Sequence, residues 1–132
     1  ICFVGKVDLP VFLQQKLDPD GYNHTMGIFF SAVEVHNLAN LGKTIQETIN
    51  EHKVILKNVV KEKIRVLTYI SAAFGYLNPD DNYLIKPEID SIVKYIDLFL
   101  DLGAEAVTLS DLQGVANKEE TRRIIETILN KW

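Results

Sequence analysis

Residues 104–117 read A-E-A-V-T-L-S-D-L-Q-G-V-A-N, and they predict a strand, the loop that follows it and the start of a helix. The apolar run at 104–109 predicts a strand that is buried on both faces. Asp111 follows it, at the point where the strand ends. Asn117, with Glu120 three residues later, predicts the N-cap of the next helix. This stretch therefore predicts a β/α unit with a polar group at the carboxyl end of its strand.

The same order of strand, loop and helix recurs along the chain. Thr44 and Glu47 predict a capping box, and Pro87 and Gly103 bracket a second helix. Apolar and β-branched runs predict parallel strands near 1–5, 26–33, 64–71 and 104–110. Apolar stripes at the helical period predict helices near 45–61, 87–102 and 118–131, with a further short helix within 8–17.

Alternation of strands and helices requires right-handed crossovers and a parallel sheet, so the fold class is α/β. Two architectures satisfy this order, each as a single unit over residues 1–132. One is a partial (β/α)₈ TIM barrel, whose full size of about 250 residues is nearly twice this length. The other is a small doubly wound α/β sheet. The periodicity of the sequence does not separate them.

Composition excludes several classes of protein. The chain has 132 residues, of which 47% are hydrophobic, enough for one globular domain. Its net charge of -4 argues against a nucleic-acid or anionic-membrane surface. No apolar run approaches the roughly 20 residues that span a bilayer. The single cysteine, Cys2, cannot form an internal disulfide, which favours a reducing compartment. Because the sequence starts at Ile1, we expect a piece of a longer protein.

Ligands bind at the carboxyl ends of the strands in both architectures. Three segments follow predicted strands there: S-A-V-E-V-H-N-L-A-N at 31–40, I-S-A-A-F-G at 70–75 and T-L-S-D-L-Q-G-V-A-N at 108–117. Each places polar groups at a strand end before a loop or glycine. The sequence therefore predicts a ligand site at this edge of the sheet.

These segments resemble the central strands of 3-hydroxy-3-methylglutaryl-CoA (HMG-CoA) lyase, a member of a superfamily of metal-dependent (β/α)₈-barrel lyases and Claisen-type synthases. The matching residues are Glu34 followed by Asn40, the segment 71–75, and Thr108 to Asp111 with Gly114. The similarity covers most of residues 26–132 and aligns the chain with strands three to six of the barrel.

The chain departs from the family pattern at four positions. Val33 stands where the family has a serine, Ala72 and Tyr76 where it has cysteines, and Leu112 where a threonine is common. The family's Asp-Arg-Glu and His-x-His motifs, its asparagine ligand and its mobile-loop cysteine would all lie outside these residues. The resemblance thus implies a lyase in which this segment carries no metal ligand.

For the whole protein, the resemblance implies cleavage of HMG-CoA to acetyl-CoA and acetoacetate, a retro-Claisen reaction assisted by Mg²⁺ or Mn²⁺. It implies Asp111 as a catalytic residue, and Thr108, Ser71 and Glu34 as substrate-binding residues. The acyl-CoA thioester would be the partner, and the location would be the cytoplasm or, in a eukaryote, the mitochondrial matrix. An exposed half-barrel edge also predicts a homodimer.

Each of these residues has a structural alternative. Asp111 could cap the loop that ends at Gly114, and Glu34 could form a structural ion pair or hydrogen bond. Glu34 and His36 would share a face on an extended strand but lack a third metal ligand. The sequence predicts that His24 lies in a loop and that His52 is exposed on a helix.

Two functions compete with the lyase. One is an acyl-CoA-condensing synthase of the same superfamily, of the isopropylmalate or citramalate type. The other is a non-catalytic, degenerate half-barrel that binds a partner, and the apolar residues Val33, Ala72 and Leu112 favour it.

Overall fold

The structure is a computed structural model that describes the backbone of residues 2–3, and residues 9–10, 13 and 25–132 in full. Residues 9, 10 and 13 are helical, within the short helix predicted at 8–17, and the rest of that helix lies outside the described residues. So do His24, the side chain of Cys2 and most of the predicted first strand.

The described elements alternate as the sequence predicts. The strands are β1 (Cys2–Phe3), β2 (Thr25–Ser31), β3 (Arg65–Ser71), β4 (Tyr76–Leu77), β5 (Leu84–Ile85) and β6 (Ala106–Leu109). The helices are α1 (Glu34–Leu41), α2 (Ile45–Lys61), α3 (Ile89–Asp101) and α4 (Lys118–Leu129). Among these residues, no helix is long and apolar enough to cross a bilayer.

Local signals explain where the long helices begin. Thr44 and Glu47 form the predicted capping box at the start of α2. Asn117 accepts a hydrogen bond from the backbone N–H of Glu120 at the start of α4. At α3 the N-cap is Glu88, so Pro87 precedes the helix instead of lying in its first turn.

One parallel sheet organises the chain, with the strand order β1–β2–β3–β6. Phe30 of β2 packs against His52 of α2 and against Tyr95 and Phe99 of α3, so both helices cover the same side, which we call the helix face. The core lies between this face and the helices, and its largest fully buried side chains include Met26, Ile28, Phe30, Ile55, Leu56, Val66, Ile70, Ile92 and Phe99.

The opposite side of the sheet is the inner face. It carries Phe29 of β2, Leu67 and Tyr69 of β3, and Ala106 and Thr108 of β6, in parallel register. Their side chains are half-buried in β2 and β3 and exposed in β6. A doubly wound sheet has helices on both faces and a reversal of strand order. This sheet shows neither among the described residues, so the partial barrel is the correct alternative.

Two local predictions were wrong, and one element had not been predicted. The second strand ends at Ser31 instead of continuing to residue 33, and the short helix α1 follows it. A small antiparallel hairpin, β4–β5, occupies the segment between β3 and α3. The strand β6 is not buried on both faces, because its inner face is uncovered: Ala106 and Thr108 are exposed, whereas Val107 and Leu109 are half-buried.

Candidate functional site

The carboxyl ends of β2, β3 and β6 meet at one edge of the sheet, which we call the carboxyl edge. Ser31 lies beside Ser71 in register, and Ser110 donates its backbone N–H to the carbonyl of Ile70 at 2.9 Å. The three predicted strand-end segments are therefore neighbours in space, as the parallel sheet requires.

Ser71 is the last residue of β3 and lies on the inner face, half-buried. Its carbonyl accepts the N–H of Ala32 at 2.9 Å, which extends the β2–β3 ladder by one residue. Ala72 follows with a φ of 53°, a conformation that costs energy for alanine. This turn lets the N–H of Ala73 reach the carbonyl of Ser110 at 3.2 Å.

Thr108 pairs with Tyr69, one position below the carboxyl edge on the inner face. The residue is exposed on the inner face, close to the carboxyl ends of the strands, where β/α barrels bind their ligands. Ser71 and Thr108 therefore lie on the same face of neighbouring strands.

The Asp111 carboxylate closes the loop after β6. Its two oxygens accept the backbone N–H groups of Val115 at 3.0 Å and Ala116 at 3.1 Å. This is the capping role that the sequence offered as an alternative to catalysis. Each oxygen accepts one backbone N–H and keeps a second lone pair, so the carboxylate can still accept a hydrogen bond or a proton from a substrate.

Glu34 is the first residue of α1 and does not lie on an extended strand. Its exposed carboxylate accepts the backbone N–H of Ile45 at 2.8 Å, so it caps the start of α2. Burial raises the pKa of the Tyr95 phenol, and the charge of Glu34 adds to that rise. The Glu34 carboxylate therefore interacts with the helices α2 and α3.

His36 also lies on α1, and its ring stacks on that of Tyr76, with centroids 4.5 Å apart and an interplanar angle of 32°. Its Nδ1 is buried and has no hydrogen-bond partner in the described part of the chain. Burial lowers the pKa of this imidazole. The described residues contain no group of three or more His, Cys, Asp or Glu side chains that could hold a metal ion.

The sequence analysis missed Asn37, a fully buried residue of α1. Its Oδ1 accepts the N–H of Ser31 at 2.9 Å, and its Nδ2 donates to the carbonyl of Lys43 and the hydroxyl of Thr48, both at 2.8 Å. Asparagine is a poor residue for a helix interior because its side chain competes for backbone hydrogen bonds. An asparagine within a short helix was therefore the feature of the sequence that could have indicated a structural hydrogen-bonding role.

Gln113 was missed as well. Its side chain accepts the N–H of Leu77 at 2.6 Å and donates to the carbonyl of the same residue at 3.1 Å. The side-chain amide thus makes the same pair of hydrogen bonds with Leu77 of β4 that the backbone of a neighbouring strand would make. It joins the β4–β5 hairpin to the loop that Asp111 closes.

Two clefts in the described part of the chain contain none of the four predicted site residues. One, of about 180 Å³, lies between the segment before α3 and the start of α4, where Lys86 pairs with Glu120. The other, of about 390 Å³, is an apolar groove beside β6; its lining includes Val107, Ile128 and Trp132. Ala73 and Phe74 line the first cleft and Phe74 lines the second, so both clefts reach the segment 70–75 that follows β3.

The parallel strands in chain order, the helices on one face and the polar strand ends at one edge define a partial β/α barrel. No family model matches the chain. Its sequence is 24% identical over 105 residues to the hydroxymethylglutaryl-CoA lyase YngG of Bacillus subtilis, an alignment that covers 80% of this chain and 33% of that protein. The predicted resemblance to HMG-CoA lyases is therefore confirmed.

Solved structures agree on the fold. The crystal structure of the Bacillus subtilis HMG-CoA lyase aligns with 98% of this chain, with a TM-score of 0.81 and 21% identity, over 40% of that enzyme. An Acinetobacter baumannii HMG-CoA lyase, in complex with coenzyme A and 3-methylmalate, aligns with 93% of this chain, with a TM-score of 0.72 and 22% identity, over 37% of its length. The chain thus spans well under half of each of these relatives.

Proposed function

We propose that this chain is part of a carbon–carbon lyase that cleaves HMG-CoA to acetyl-CoA and acetoacetate. The observation that carries the proposal is the sequence match to a hydroxymethylglutaryl-CoA lyase over 80% of the chain. The partial barrel, with hydroxyl groups at its carboxyl edge, supports it. An acyl-CoA thioester would be the substrate, in the cytoplasm or the mitochondrial matrix.

In this reaction a base removes the proton of the tertiary hydroxyl while the carbon–carbon bond breaks, and the thioester enolate that leaves then takes up a proton to give acetyl-CoA. The hydroxyls of Ser71 and Thr108 can hydrogen-bond the acyl part of the substrate from neighbouring strands, which would fix its orientation. Asp111 is the candidate base of this segment. Its two backbone hydrogen bonds hold the carboxylate in place at the edge. Glu34 would contribute without touching the substrate, by capping the start of α2 through the N–H of Ile45.

The described residues do not fit a divalent-metal site, because they offer no cluster of three candidate ligands. We propose that the ligands of the Mg²⁺ or Mn²⁺ ion implied by the resemblance lie elsewhere in the protein. Calorimetry of the 132-residue chain with Mn²⁺ should therefore show no binding in the micromolar range. Micromolar binding would contradict this assignment.

The engaged carboxylates favour one competing function. Asp111 and Glu34 both accept hydrogen bonds from backbone N–H groups, as expected if the chain belongs to a non-catalytic, degenerate barrel that binds a partner.

A synthase that condenses acetyl-CoA with a 2-oxo acid would use the same fold in the bond-forming direction.

A substrate panel tests these functions. The full protein that contains this chain is incubated with Mg²⁺ and either HMG-CoA or acetyl-CoA plus a 2-oxo acid, and the products are quantified by mass spectrometry. The lyase proposal predicts acetoacetate and acetyl-CoA from HMG-CoA alone. Condensation without cleavage would favour the synthase, and no turnover of either would favour the binding module.

A further inference from the structure

Asn37 joins three parts of the chain through one buried amide. It lies on α1, holds the N–H of Ser31 at the end of β2, and donates to the turn before α2 and to α2 itself. Thr48 uses its own hydroxyl proton on the carbonyl of Thr44 at 2.9 Å, so its oxygen must accept from Asn37. The Lys43 carbonyl can only accept a hydrogen bond, so it faces the Asn37 nitrogen and by itself directs the amide oxygen to Ser31.

Ser31 is the part of this network that belongs to the carboxyl edge. It lies beside Ser71 in register, and the next N–H, that of Ala32, donates to the carbonyl of Ser71. The Ser31 hydroxyl accepts the N–H of Val33 at 3.1 Å, which turns the chain from β2 into α1. The position of this turn relative to β3 therefore depends on the bond from Asn37.

The N–H groups of Ala32 and Val33 donate to the Ser71 carbonyl and the Ser31 hydroxyl, and the N–H of Ser31 donates to Asn37. Loss of its oxygen would leave that buried N–H without a partner. The end of β2 would then shift relative to Ser71, and a displacement of about 1 Å in a site can change rates by about 10²-fold.

On the basis of the proposed lyase function, we propose that Asn37 is a positioning residue of the candidate site. Through Ser31 it holds the carboxyl end of β2 against that of β3, and so sets how the acyl part of a coenzyme A thioester fits at this edge. The residue touches no substrate itself.

The test compares Asn37→Ala with Thr48→Val in the full protein that contains this chain. Both variants lose a hydrogen bond to α2, but only Asn37→Ala loses the bond to Ser31. We expect both to lower the melting temperature. We expect KM for HMG-CoA to rise about tenfold in Asn37→Ala and to stay within about twofold in Thr48→Val.

A second variant applies if Asn37→Ala does not fold. Asn37→Asp keeps an acceptor oxygen for Ser31 and loses both donors, so KM should stay within about threefold of the wild type although stability falls. A tenfold rise in Asn37→Asp would overturn the proposal.

The outcomes separate this inference from the proposed function. An active wild type in which Asn37→Ala and Thr48→Val change KM equally, or in which neither changes it, overturns the positioning role alone. A wild type without turnover overturns the proposed function, and this inference with it.

Discussion

His52 shows how burial changes the chemistry of one residue. The sequence predicted an exposed side chain, but His52 is 6% exposed and lies against the rings of Phe30 and Phe99. Its Nδ1 has no partner in the described part of the chain. Burial lowers its pKa to about 4, while the charge of Glu51 opposes that change and the charge of Lys43 adds to it.

We predict that acid destabilises the fold through His52. Its pKa is about 4 in the folded chain against 6.5 as the ordinary value, so between these values the unfolded chain binds a proton that the folded chain does not. The stabilisation is complete above pH 6.5 and falls by roughly 3 kcal/mol as the pH drops toward 4. Urea unfolding at several pH values measures it.

The control for this prediction is His52→Leu, which removes the titrating group and keeps an apolar side chain in the core. Its free energy of unfolding should fall less between pH 7 and pH 4 than that of the wild type. Equal slopes for the two proteins would contradict the assignment.

His52 could not be placed from the sequence, because its burial depends on elements distant in the chain. His52 is covered by Phe30 and Phe99, which come from β2 and α3. Ser71 and Thr108 were predictable as strand-end residues, since alternation alone directs them to one edge. Their substrate contacts remain a prediction.

The long elements were predictable where a local signal coincides with hydrophobic periodicity. The helix α2 has both, and its predicted and observed limits are the same, 45–61. The helix α1 has only eight residues, and its N-cap, Val33, has no side chain that can accept a hydrogen bond. It therefore lacked a start signal, and the preceding strand was predicted too long.

The junction between α3 and β6 depends on Gly103, which has a φ of 97° and lies against α2. A Cβ at this position would lie 3.0 Å from a methyl group of Val60. We predict that Gly103→Ala lowers the free energy of unfolding by about 1 kcal/mol or more, because both the conformation and the contact oppose a side chain. Chemical denaturation measures the change.

Gly42→Ala is the matched control for that substitution. Gly42 also has a positive φ, of 65°, but a Cβ there would meet nothing within 4 Å. Its effect should be smaller than that of Gly103→Ala. The reverse order would show that the contact with Val60 is not what restricts the junction.

For the whole molecule, the inner face and the apolar groove beside β6 leave large apolar side chains accessible. Trp132, which lines this groove, is 52% exposed, and Phe29, Leu67 and Tyr69 are half-buried on the inner face. Accessible apolar surface and an open strand edge favour association.

We predict that the 132-residue chain by itself forms dimers or larger assemblies. Sedimentation velocity over a range of concentrations should show species heavier than a monomer, with a share that grows with concentration. A sharp monomer peak at every concentration, together with cooperative melting, would contradict the prediction.

We propose that this chain belongs to a lyase whose reaction takes place at the carboxyl edge. The direct measurement is the rate of acetoacetate release from HMG-CoA by the full protein, for the wild type and Asp111→Asn, well below both melting temperatures. Asparagine keeps one acceptor oxygen but cannot act as a base. We predict equal amounts of acetoacetate and acetyl-CoA from the wild type and a rate about 10²-fold lower in the variant. A wild type that leaves HMG-CoA intact would contradict the proposed lyase activity. A variant as active as the wild type would show that Asp111 only caps its loop and takes no part in catalysis.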